Sequence, residues 1–234
     1  MITLQEAIQN RHSVRQYIDR PIETEKLQHL QQLIDQCNKS GNLHIQLVTN
    51  EPNAFASGLA TYGRFSGISN YLALVCKKGD DTVLGYFGER IVLEAQRLGL
   101  NTCWVGLTFK KQPDQYTILP GETMLGVISL GYGATQGKPH PQKKGIEAYC
   151  KVDGAMPDWF RKGMEAALLA PTAINQQKFE FQLTADNKVE AHTRFTMFNN
   201  YAKTDLGIVM CHFEIGAERE EKQLFVGFPY SLSE

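Results

Sequence analysis

The sequence predicts an α+β fold, a mixed sheet flanked by helices, built as two related halves packed together. Three observations predict it. Length comes first: 234 residues suffice for one large domain, or two intimately packed halves, with a real core. The second is composition, with 42% hydrophobic and 21% charged residues, which is ordinary for a globular chain. The third is pattern. Segments with apolar residues at helical spacing alternate with β-rich runs, and one helix, loop and strand unit occurs twice in the same order.

The doubling emerges when Pro157 is slid onto Pro21. Leu169 then falls on Leu33, Phe181 on Ile45, Gln182 on Gln46 and Leu183 on Leu47, with no gap. In the first copy Thr24 and Glu25 open a helix carrying Leu27, Leu30, Leu33 and Ile34, followed by Gly41-Asn42 and a strand at Leu43–Thr49. In the second, Trp159, Phe160 and Met164–Leu169 give the helix and Phe179–Thr184 the strand. A later pair matches too. A helix opening at Gly88 leads to the β-rich Thr102–Gly106, and a helix over Gly207–Ala217 leads to Leu224–Gly227. Both helices are small and apolar nearly all round, which predicts burial on most sides. Strands are expected at Tyr71–Cys76 and Leu125–Leu130. The Gly-, Pro-, Lys- and Gln-rich stretch Gly131–Lys144 reads as an exposed connecting loop. The halves divide as residues 1–150 and 151–234, the second being shorter.

Several function classes are disfavoured. A net charge of −1 gives no electrostatic case for nucleic acid or a membrane surface. No apolar run approaches the roughly 20 residues of a membrane span, and the first residues lack the basic and apolar regions of a secretory signal. The five cysteines are scattered with no Cys-x-x-Cys pair, so reduced, buried thiols in a cytoplasmic protein are expected. The six histidines do not cluster with cysteines or acids at metal-ligand spacing, so no metal site is expected.

Two segments carry candidate chemistry. Arg11, Ser13 and Arg15 alternate after a short helix at Thr3–Gln9. In an extended chain they point to one side and make an anion receptor, or else a solvated basic loop. Ala170-Pro171-Thr172-Ala173-Ile174-Asn175 follows a helix that Pro171 stops. Its hydroxyl, carboxamide and backbone groups suit the polar edge of a heterocycle, or form an ordinary turn. Lys143 and Lys144 meet a phosphate or are solvated. His12 and His212 are read first as structural histidines and second as general bases. Gly131-x-Gly133 is not a dinucleotide fingerprint, because prolines rather than a helix follow it.

The conjunction of motifs resembles the FMN-dependent nitroreductase family over nearly the whole chain. The family's opening Arg-x-Ser-x-Arg stands here as Arg11-His12-Ser13-Val14-Arg15 before Pro21-Ile22. Its Ala-Pro-Ser-x-x-Asn-x-Gln stretch stands as Ala170-Pro171-Thr172-Ala173-Ile174-Asn175-Gln176-Gln177, with Lys178-Phe179 in place of the usual Pro-Trp. Gly99–Gly106 matches the Gly-Leu-x-Thr-x-Trp-x-Gly stretch, and Gly131-Tyr132-Gly133 through Lys143-Lys144 matches the late basic tail.

The resemblance implies a nitroreductase-like fold and bound FMN. Arg11, His12, Ser13, Arg15, Lys143 and Lys144 would face the phosphate or the polar side of the ring. Pro171, Thr172, Ala173, Asn175 and Gln177 would line the ring from the other half. Trp104, Val105 and Gly106 would lie near its reactive centre. Family members are two-fold dimers with the flavin between subunits. Here each half keeps one complementary loop, which implies a fused pseudo-dimer, a single flavin site and a monomeric chain. The implied reaction passes hydride from NAD(P)H through FMN to a small organic electron acceptor such as a nitroaromatic or quinone, and no protein nucleophile is needed. A flavin-binding storage or sensor protein, and a degenerate scaffold without flavin, are the alternatives. Asn53–Asn70 and Phe109–Thr117 are the segments expected to set acceptor choice.

Overall fold

The computed structural model describes residues 1–56, 58–141, 144–196, 199–219 and 223–231. The chain begins with α1 (Leu4–Asn10), held by a capping box in which Thr3 and Glu6 satisfy each other's backbone N–H groups. Then follow α2 (Thr24–Gly41), β1 (Gln46–Val48), the short α3 (Gly58–Tyr62), β2 (Asn70–Lys77), α4 (Asp81–Arg97), β3 (Asn101–Val105) and β4 (Glu122–Gly131). The remaining elements are β5 (Cys150–Lys151), α5 (Asp158–Ala167), β6 (Phe179–Leu183), β7 (Val189–Thr193) and α6 (Ala202–Ala217). The architecture is α+β.

Strands β1, β2, β4 and β3, in that spatial order, form an antiparallel sheet. Alternation along β2 buries both of its faces. Leu72, Leu74 and Cys76 join the main core with α2 and α4, while Tyr71, Ala73 and Val75 join a second core with Phe55, Phe65 and Phe109. The second sheet has the order β5, β6, β7. Strand β5 pairs parallel to β6, and β6 pairs antiparallel to β7. Its Phe179, Phe181 and Val189 belong to the same main core as α4 and α6, so one core runs through both sheets.

The two predicted helix, loop and strand units are present as α2 with β1 and α5 with β6. They differ in length. Helix α2 runs for 18 residues, whereas α5 stops after 10 and gives way to the Pro171 loop.

Both later helices start earlier than the sequence suggests. Gly88 and Gly207 lie inside α4 and α6 rather than opening them, because Asp81 and Ala202 begin these helices. The glycines serve close approach instead. A Cβ on Gly207 would lie 1.9 Å from the Thr82 carbonyl oxygen, and one on Gly85 would lie 2.1 Å from that of Thr204. The backbones of α4 and α6 therefore touch. The expected strand at Leu224–Gly227 is reduced to a single bridge between Phe225 and Val189. Beyond it Phe228 and Tyr230 pack their rings against Tyr86 and Phe87 of α4, at 5.1 and 5.8 Å between centroids. Nor is Gly131–Lys144 exposed throughout. Gly131 and Tyr132 are buried, Gly133 bridges Tyr17, and the Asn101 side chain holds the Gly133 N–H. Four of the five cysteines are buried and all five are free thiols.

Candidate functional site

The segment after α1 is extended because it is stitched between two neighbours. Ser13 bridges Thr102 of β3, Gln16 bridges Ser66, and Val14 sinks into the second core. This places Arg11, Ser13 and Arg15 on the side of Cys103 in β3. Burial raises the pKa of that thiol, while Arg15, a hydrogen bond with Ser13, and Arg11 lower it. The three side chains share a side, as alternation predicts, but not a depth. Arg15 is exposed near the Phe65 ring, Ser13 is half-buried, and Arg11 is only 3% exposed.

Arg11 turns inward because a carboxylate waits there. Its Nε lies 3.7 Å from Oε1 of Glu89 on α4, and this Nε is buried without a hydrogen-bond partner. Burial lowers the guanidinium's pKa, and Glu89 and Cys103 oppose the shift. Glu89 has further partners. Its Oε2 accepts from Trp104 Nε1 at 2.7 Å, and its Oε1 is 2.8 Å from His212 Nε2 on α6. His212 Nδ1 lies 3.1 Å from the Ala166 carbonyl, so that nitrogen must carry a hydrogen. A second proton is then shared between Nε2 and Glu89. Glu89 and His212 are both fully buried. One carboxylate thus ties together the end of α1, strand β3 and helix α6.

The network fixes Trp104. Its indole N–H is committed to Glu89 and its ring lies over Gly88. Val105 is buried in the second core. Gly106 is exposed, and a Cβ there would lie 2.5 Å from the Tyr201 ring just before α6.

The second loop is strained and heavily braced. Ile174, Asn175 and Gln177 have φ of 46, 54 and 48°, in the left-handed region. Ile174 is β-branched and 74% exposed, and such a backbone costs about 1–3 kcal/mol that its surroundings must offset. Thr172 Oγ1 accepts from the Gln177 N–H at 3.1 Å. Gln177 Nε2 is 3.3 Å from the Leu168 carbonyl and 3.1 Å from both the Ala170 carbonyl and Asn175 Oδ1. Thr172 and Gln177 are buried, so they brace the loop from inside. Asp205 in the first turn of α6 grips the loop from below, accepting from the Ala173 N–H and from Gln176 Nε2, each at 2.8 Å. Burial pushes its carboxyl up to about 6, although the hydrogen bonds from Gln176 and Ala173 pull the other way.

The two segments are linked through residues 137–141, where Gly137 lies against His12 and Ser13 and His140 Nε2 is 3.2 Å from the Leu168 carbonyl. Pro141 and Lys144 share a small notch with Asn175, Gln176 and Gln177. The notch measures about 20 Å³, room for one water-sized polar atom. Half-buried His12 has its pKa lowered by burial and then by Arg11 and His140. Lys144 is exposed beside the notch, and Lys143 lies outside the described residues. The two segments expected to set acceptor choice pack on each other. Lys110 N–H donates to the Ala54 carbonyl at 2.8 Å, and the rings of Phe55 and Phe109 are 6.5 Å apart.

Glu89, His140, Asp205 and Tyr201 were not among the expected site residues. The signal for Glu89 was weak, since it is one of two acids, with Glu94, beside Arg90 in the stretch Gly88–Ala95. His140 sits among prolines and gave none.

A family profile described as "Putative TM nitroreductase" matches residues 3–217. A solved structure from Thermotoga maritima, described as a "putative nitroreductase", has a TM-score of 0.62 at 21% identity, covering 92% of this chain and 83% of its own. Nitroreductase A from Vibrio parahaemolyticus has a TM-score of 0.52 at 13% identity, covering 68% of this chain and 78% of its own. At these identities the likeness concerns the fold. No curated protein sequence matches the chain.

Proposed function

The chain belongs to the nitroreductase family, and from that premise we propose that it is an FMN-dependent oxidoreductase passing hydride from NAD(P)H to a small organic acceptor such as a nitroaromatic or quinone. The observation that carries the reading is Arg11. Its guanidinium is buried, its Nε is orphaned, and it sits beside Ser13 and Arg15 on the side of β3. A cation held so deep with an unfilled donor suits a bound oxyanion.

FMN, when bound, supplies the hydride chemistry. The chain's own residues would hold and orient it. Arg11, Ser13, Arg15 and Lys144, with Lys143 by resemblance, would meet the phosphate or the polar ring edge. Gly106 would bring the backbone at the end of β3 near the ring, with Tyr201 packed against it. Pro171, Ala173 and Asn175 would line the ring, kept in place by Thr172, Gln177 and Asp205. Pro171 and Asn175 are half-buried and Ile174 faces solvent, so the loop offers both an apolar edge and an amide.

We read residues 1–150 and 151–234 as fused counterparts of two family subunits. The backbone contact of α4 with α6 supports this. So do β5, which adds residues 150–151 to the second sheet, and the Phe228–Tyr230 tail, which packs back on α4. One site per chain and a monomer follow. Titration of the apo-protein with FMN should saturate near one per chain, and Arg15→Ala should weaken binding about 10- to 150-fold. Two equivalent sites would overturn the fused reading, and no FMN binding would overturn the flavin reading. FMN binding without NAD(P)H oxidation would indicate a storage or sensor role.

A further inference from the structure

His140 lies between the two loops and has no counterpart in the motifs. Its Nε2 is 3.2 Å from the Leu168 carbonyl, which also accepts from Gln177 Nε2, so the ring is fastened to the root of the second loop. A carbonyl only accepts, so Nε2 carries a hydrogen. In the neutral ring Nδ1 then holds a lone pair, and in the protonated ring it is a donor. On the other side, Gly137 at φ +74° lays the chain on the first segment. A Cβ there would lie 2.8 Å from His12 Cβ and 3.1 Å from the Ser13 carbonyl oxygen. His140 also lines the notch with Asn175 and Gln177.

The charge around it is one-sided. Arg11 at the end of α1 and His212 on α6 both act on His140, and His140 acts on His12. Glu89 is the carboxylate in contact with this group, and it is already committed to Arg11, Trp104 and His212. Burial, followed by Arg11 and His212, lowers the His140 pKa, and the Leu168 hydrogen bond opposes this.

We propose that His140 is a further oxyanion-recognition residue, joining the Arg11–Arg15 segment to the Pro171 loop, and that it gains a proton when the anion binds. Protonated, it donates Nε2–H to Leu168 and Nδ1–H toward the anion. The anion's charge offsets the field of Arg11 and His212, so binding and proton uptake favour each other by linkage. The identity of the anion as the FMN phosphate rests on the functional reading above. The recognition of an oxyanion does not.

Sulfate separates the two, because it stays a dianion across the histidine range. The His140 ring in the full-length protein should be titrated by NMR with and without saturating sulfate. The midpoint should rise with sulfate, and an unchanged midpoint overturns the proposal. This arm needs no variant, so it stands even where a substitution misfolds. In the second arm, His140→Gln should weaken FMN about tenfold below neutral pH and leave riboflavin, which lacks the phosphate, unchanged. Equal losses for both flavins would mean a structural role and overturn the proposal. A sulfate-shifted midpoint in a protein that binds neither flavin sustains this inference and removes the flavin reading. Tight FMN binding with a flat midpoint does the reverse.

Discussion

Substituting Gly207 by alanine tests the contact that joins the two halves. The added Cβ would lie 1.9 Å from the Thr82 carbonyl oxygen and 2.6 Å from the Tyr86 nitrogen, both backbone atoms that no rotamer change can clear. Restoring an ordinary separation of about 3.5 Å requires α4 and α6 to part by roughly 1.5 Å. Overpacking of this kind costs about 1–3 kcal/mol, and rigid obstacles put it at the upper end. Alanine's better helix propensity returns about 1 kcal/mol. The net loss is about 2 kcal/mol, a large part of the stability of an ordinary domain. Urea unfolding should show a lower midpoint with little change in slope. Gly85→Ala, which would meet the Thr204 carbonyl at 2.1 Å, should behave alike. The double variant should lose less than the sum, because helices already parted accept the second methyl cheaply. Gly58→Ala is the control. Nothing lies within 4 Å of its added Cβ, so it should gain about 0.4–1 kcal/mol. A Gly207→Ala protein as stable as wild type, or strictly additive losses, would refute backbone contact between these helices.

Asp205 makes stability depend on pH with a definite sign. Burial raises its carboxyl from 3.8 to about 6, so between these values the folded chain holds a proton that the unfolded chain has released. Its contribution is complete below the lower value and is lost as pH rises through about 6, by about 3 kcal/mol. Thermal unfolding across that range should show the decline in wild type and a flatter profile in Asp205→Asn. Trp104→Phe removes the donor to Glu89 Oε2 and leaves a buried carboxylate oxygen short of a partner, at a cost of about 1–3 kcal/mol by urea unfolding.

The helix and strand elements legible in the sequence were those with strong periodicity and a clear proline. Pro21 and Pro157 stand just before α2 and α5, and the apolar runs of β2 and β4 mark the sheet centre. Helix starts at Asp81 and Ala202 were missed because glycine reads locally as a boundary, whereas here it answers a neighbour folded against it from far along the chain. Side was legible for Arg11, Ser13 and Arg15, but depth was not. Period two fixes direction, while the inward pull on Arg11 comes from Glu89 on another element. Gln177 shows the same division. Its place in a motif was visible, but its work as an internal brace depends on three acceptors that only the folded loop supplies.

The Glu89 network also constrains the order of events during synthesis. Arg11, Glu89 and Trp104 leave the ribosome well before Ala166 and His212, which complete the proton arrangement around the carboxylate. Synthesis at about 5–20 residues per second separates these groups by several seconds or more. During that interval Glu89 and Arg11 are hydrated, and the face of α4 that will meet α6 is bare. The nascent chain therefore holds Arg11 and Glu89 before the groups that complete their burial exist.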